Sequence, residues 1–119
     1  MSLIGSKTEN DIREQMLAGK KSLLNSSFYA RLLGLLREQF KDFRSAVFLN
    51  WTPDQDEDIF VLLIDTEFVV TIELPKNDLD ARIEVESVFE YRRNLKKKVD
   101  RITLDVGLQI NDDPTRWIN

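Results

Sequence analysis

The chain has 119 residues, 42% hydrophobic and 32% charged, which is enough apolar content for one folded core and has no apolar run near the ~20 residues of a bilayer span. It contains no cysteine and no histidine. That excludes disulfides, thiolate nucleophiles, zinc held by Cys or His, and any triad with an imidazole base.

Thr8, followed by Glu9 and Asp11, has the chemistry of a helix start, because a hydroxyl can cap free N–H groups and carboxylates suit the positive helix end. The spacing predicts a helix over 9–20, with Gly19 weakening the stripe of Ile12, Met16 and Leu23. Asn25-Ser26-Ser27 offers a second cap, and Phe28, Leu32, Leu35, Leu36, Phe40 and Phe43 recur at helical spacing, predicting a helix over 27–42.

The period then shortens. Residues 46–51 read as a strand closed by Thr52-Pro53 and the acidic run Asp54-Gln55-Asp56-Glu57-Asp58. Strands at 59–64 and 68–74 follow, broken at Asp65-Thr66-Glu67; the first is apolar on both faces and asks for cover on both. A turn at Pro75-Lys76-Asn77-Asp78 leads to a strand at 82–86. Segment 87–99 has two readings. Ser87 with Glu90 forms a capping box and Val88, Tyr91, Leu95 and Val99 are helically spaced, whereas Phe89 and Tyr91 also continue the strand face of Ile83 and Val85. Ile102, Leu104, Val106, Leu108 and Ile110 alternate, predicting a last strand over 101–109, and the tail from Asp112 forms a final turn that docks Trp117. These elements describe a single α+β domain: two N-terminal helices packed on a mainly antiparallel sheet of four to five strands, with a helical crossover before the last strand if 87–99 is helix. An extended 87–99 would leave one apolar sheet face for a second copy of the chain, a homodimer.

Charge is segregated along the chain. The net charge of −4 combines +3 over 1–53, −10 over 54–90, +5 over 91–101 and −2 over 102–119. The carboxylates Asp54, Asp56, Glu57 and Asp58 and the basic block Arg92, Arg93, Lys96, Lys97, Lys98 and Arg101 are the candidate partner-binding residues. Asp54, Asp56 and Asp58 open like a calcium loop, but Ile59 stands where that loop needs glycine and Asp65 where it needs glutamate. If 92–101 were helical, Arg92 with Lys96 and Arg93 with Lys97 would form one cationic face for phosphates, giving nucleic-acid binding as a further alternative. Acidic overall charge and a single nearby aromatic, Tyr91, weigh against it.

The element order helix, strand, strand, strand, helix, strand over 27–108 resembles the core of the PD-(D/E)xK nuclease fold. That resemblance implies Mg²⁺ or Mn²⁺ held by Asp65 and Glu73, with Pro75 in the place of the motif lysine and Lys76 one position further on. The main expectation is a non-catalytic, cytoplasmic, small acidic protein without cofactor, an inhibitor, immunity-type neutraliser or adaptor whose partner is a protein of basic character. The N-terminal stretch MSLIGSKTEN lacks a secretory leader's apolar centre, and no membrane association is expected.

Overall fold

The computed structural model describes residues 2–77 and 80–117, with the side chains of 2–7 outside the description. Helix α1 runs Ser2–Asn25, a 3-10 turn occupies Ser27–Tyr29, and α2 spans Ala30–Gln39. Four strands follow, β1 Ala46–Pro53, β2 Glu57–Ile64, β3 Phe68–Pro75 and β4 Arg82–Ser87; then come α3 Val88–Arg93, α4 Lys98–Asp112 and a 3-10 turn at Pro114–Arg116. The fold is α+β, with one antiparallel sheet in the order β1-β2-β3-β4 and four α-helices among the described residues. Among the described residues, no helix is long and apolar enough to cross a membrane. Asp78, in the predicted β3–β4 turn, lies outside the described residues.

The largest departure from the sequence reading is at 101–109, which is the body of α4 and not a strand. Its buried residues Leu104, Val106, Gly107, Ile110 and Asn111 fall three or four apart on one helical stripe. Without that strand the sheet lacks the last element on which the nuclease resemblance rested. At the N-terminus, Thr8 lies inside α1 and does not cap it. Gly19 has a packing role: a Cβ there would stand 3.2 Å from the Phe48 ring, so the missing side chain lets α1 approach β1. The second helix is shorter than 27–42. Ser26 caps a 3-10 turn by accepting from the Phe28 N–H, and α2 stops at Phe40, whose φ of −130° is not helical. In 87–99, Ser87 accepts from the Glu90 N–H and starts α3, which ends at Arg93 with Asn94 as its C-cap.

β2 is covered on both faces. Phe60, Leu62 and Ile64 join Leu23 of α1 and Leu32, Leu33 and Leu36 of α2 in one cluster. Leu63 and Val69 join Met16 of α1 and Leu104, Val106 and Ile110 of α4 in the other. The uncovered β2 face that would have called for a second copy is therefore absent. Gly107 sits at a close approach in the second layer, where a Cβ would meet Leu63, Leu49 and Val47 at 3.2–3.3 Å.

A β-bulge between Phe48 and Asn50 resets β1: Phe48 pairs with Leu62 and Trp51 with Phe60. Directly opposed residues share a sheet face, so the extra residue puts Phe48 and Trp51 on the same side. Strict alternation would have sent Trp51 to the other face.

Candidate functional site

The β1–β2 hairpin gathers the acidic candidates at one end of the sheet. Asp54, Asp56, Glu57 and Asp58 occupy its turn and the first residues of β2, with the Asp54 N–H donating to the Glu57 carbonyl at 2.9 Å and the Lys76 N–H to the Asp56 carbonyl at 2.9 Å. Asp54 and Asp56 are exposed, while Glu57 and Asp58 are half-buried. Beside them stand two exposed aromatics, Phe28 at 63% and Trp51 at 43%. Trp51 is held on three sides: it stacks on buried Phe60 at 6.0 Å and 12°, its Nε1 donates to Asp58 Oδ1 at 3.2 Å, and Phe28 meets it edge-on at 6.4 Å. The indole is thus oriented before any partner arrives, while much of its surface faces water.

The basic block does not form one helical face. α3 ends at Arg93, Lys96 lies in the link, and Lys97 is the N-cap of α4, so the predicted i, i+4 pairing of Arg92 with Lys96 and of Arg93 with Lys97 is lost. Arg92 bridges Asp105 at 2.7 Å, Arg93 bridges Glu90 at 3.3 Å, and Arg101 donates to the Leu95 carbonyl at 3.0 Å. Lys96, Lys97 and Lys98 are exposed.

Asp65 and Glu73 lie at opposite ends of β3, next to the Ile64–Phe68 and Ile59–Glu73 pairs respectively. Glu73 faces Arg82 at 3.2 Å. Asp65 is a non-glycine residue at positive φ (52°), and its Oδ1 accepts from the Arg44 and Ser45 N–H groups at 2.8 and 3.0 Å. Short polar side chains tolerate this left-handed conformation best, and two backbone bonds hold it in place. The structure does not bring these two carboxylates together, and among the described residues no group of three acidic side chains could hold a metal.

Around Asp65 lies a polar network that hydrophobic periodicity could not have revealed. Lys20, Ser45 and Asn111 are all buried. The Lys20 ammonium donates to the Ser45 hydroxyl, which donates to Asn111 Oδ1 at 2.6 Å. Asn111 Nδ2 donates to the carbonyls of Leu63 at 3.1 Å and Asp65 at 2.8 Å, and the Asn111 carbonyl accepts from Trp117 Nε1 at 3.1 Å. Arg44 covers the Trp117 ring at 4.6 Å. Burial first, and then the nearby Arg116 charge, push the Lys20 ammonium down to about 8, with Asp65 opposing them.

Above that value the native state sheds the proton, while the unfolded lysine keeps it to about 10.5. The unfolded chain then binds more protons, so stability rises with pH between about 8 and 10.5. Urea midpoints measured across this window should rise with pH in the wild type relative to Lys20→Met. Equal slopes would mean that Lys20 titrates normally.

No family model matches the chain, and no match was found among curated proteins or solved structures.

Proposed function

We propose that the chain is a non-catalytic binding protein that docks a basic protein partner on the end of the sheet formed by Phe28, Trp51 and the Asp54–Asp58 hairpin. The observation that carries this reading is the pre-oriented, exposed Trp51 beside Phe28, with Asp58 bonded to its indole and the other hairpin carboxylates next to it along the chain. Protein interfaces concentrate binding energy in a few aromatic anchors, surrounded by a polar rim whose charge steers encounter. In this reading α1 and α2 form the layer that positions Phe28 at the mouth of the site. The protein then acts in the cytoplasm as an inhibitor, immunity-type neutraliser or adaptor.

Two variants test it, Trp51→Ala with Phe28→Ala, and Asp54→Asn with Asp56→Asn, Glu57→Gln and Asp58→Asn. Affinity capture with the wild type should retain a basic protein that added salt releases. The aromatic variant should weaken that complex about 30-fold or more through dissociation. The neutralised hairpin should act mainly on the association rate, as salt does. Retention of the same protein by both variants, or capture of acidic proteins alone, would overturn the reading.

A further inference from the structure

At the other end of β2, about 25 Å from the acidic hairpin by strand length, α1 and the C-terminal 3-10 turn flank a second, differently charged place that opens to solvent. Its cavity of about 490 Å³ is bordered by Lys20, Lys21 and Arg116 and walled by Leu17, Leu24 and Trp117. Lys20 is only 7% exposed, yet among the described residues its one hydrogen-bond acceptor is the neutral Ser45 hydroxyl, and no carboxylate lies within ion-pairing distance. An ammonium has three donors and is costly to bury without a counter-charge. Arg116 adds a second cation; its own partner, Asp113, stands at 3.9 Å on the same turn. Lys21 adds a third, exposed at the rim.

We infer that this cavity is a binding site for a small organic anion, with its carboxylate or phosphate held between Lys20 and Arg116 and its apolar or aromatic body against Leu17, Leu24 and Trp117. The volume suits such a ligand, since small-molecule sites run from about 300 to 1,000 Å³ with mostly apolar walls and a few placed polar groups. Asp65 acts on Lys20 only from beyond ion-pairing distance, and the anion places a negative charge in direct contact with the buried ammonium. It also offsets the repulsion by which Arg116 lowers the Lys20 proton affinity. Trp117 is held at the cavity wall by its Nε1 bond to the Asn111 carbonyl and by Arg44 over its ring, and its remaining exposed surface is what an apolar body would meet. The cavity shares no lining residue with the proposed protein-docking surface, so either can fail without the other.

NMR titration of the full chain tests the inference, following the Trp117 indole N–H and the Leu17 and Leu24 methyl groups. The probes are benzoate, phenyl phosphate, inorganic phosphate and neutral phenol, at constant ionic strength. Benzoate or phenyl phosphate should saturate those signals, and whichever binds tighter identifies the anionic group the site takes. Phenol and inorganic phosphate should each bind about tenfold more weakly or worse, since each lacks one half of the recognition. Lys20→Met should weaken the organic anion by about tenfold or more, and Arg116→Gln, at an exposed position, should weaken it severalfold. Failure of every anion to saturate the signals would overturn the inference, as would unchanged affinity in Arg116→Gln or equal affinity for inorganic phosphate and phenyl phosphate.

Discussion

Leu62→Asp unfolds the protein. Leu62 is at the centre of β2, fully buried, with Phe60 and Ile64 on its own face and the α1 and α2 leucines Leu23, Leu32 and Leu36 in the same cluster. The substitution removes roughly 2–5 kcal/mol of packing and places a carboxylate where no cationic partner is in reach. The carboxylate either stays ionised at a cost of several kcal/mol or takes up a proton and remains without its hydrogen bonds. Either way the loss is comparable with the ~5–15 kcal/mol that stabilises a domain of this size. Circular dichroism should show loss of cooperative melting, while Thr66→Asp, at an exposed turn position, should melt as the wild type does. A soluble Leu62→Asp protein with an unchanged thermal midpoint would place Leu62 outside the core.

The hairpins were legible because each strand carries its own signal. Phe68, Val70, Ile72 and Leu74 alternate with polar or smaller residues, and Asp65-Thr66-Glu67 interrupts two apolar runs with residues that suit a turn. α4 was misread because its apolar residues satisfy both periods. Ile102, Leu104, Val106, Leu108 and Ile110 alternate, yet on a helix the core stripe is completed by Gly107 and Asn111, which no hydrophobic pattern marks. One contacts β1 and β2 because it has no side chain, and the other is buried because it bonds two carbonyls. A second signal was available, since Val99, Ile102, Val106 and Ile110 continue the i, i+3, i+7, i+11 spacing recognised over 88–99. At the candidate sites, sequence placed the carboxylates of 54–58 on a turn but could not place Phe28 beside Trp51, which depends on the bulge at Leu49 and the 3-10 turn after Ser26. Lys20, Ser45 and Asn111 are separated by 25 and 66 residues, and only the packing of α1 against α4 and β1 brings them together.

That convergence gives Asn111→Leu the second largest expected effect. The leucine matches the amide in length and keeps the helix, so the change isolates the polar bonds. It strips a donor from the Leu63 and Asp65 carbonyls and an acceptor from the Ser45 hydroxyl, all at buried or half-buried positions. Each buried polar group left unpaired costs about 1–3 kcal/mol, so the variant should lose about 3–5 kcal/mol, partly reduced where water reaches the Asp65 turn. Asp65 would also lose one of the bonds that hold its left-handed backbone. Urea unfolding measures the loss, and a cost below about 0.5 kcal/mol would show that the network contributes nothing to stability. A double-mutant cycle with Ser45→Ala separates the network from simple packing. Without the Ser45 hydroxyl, Asn111→Leu has one fewer group to strand, so the two changes together should cost less than their sum by about 0.5–3 kcal/mol. Strict additivity would mean that Ser45 and Asn111 contribute independently, and that the hydrogen bond between them does not couple the start of β1 to the end of α4.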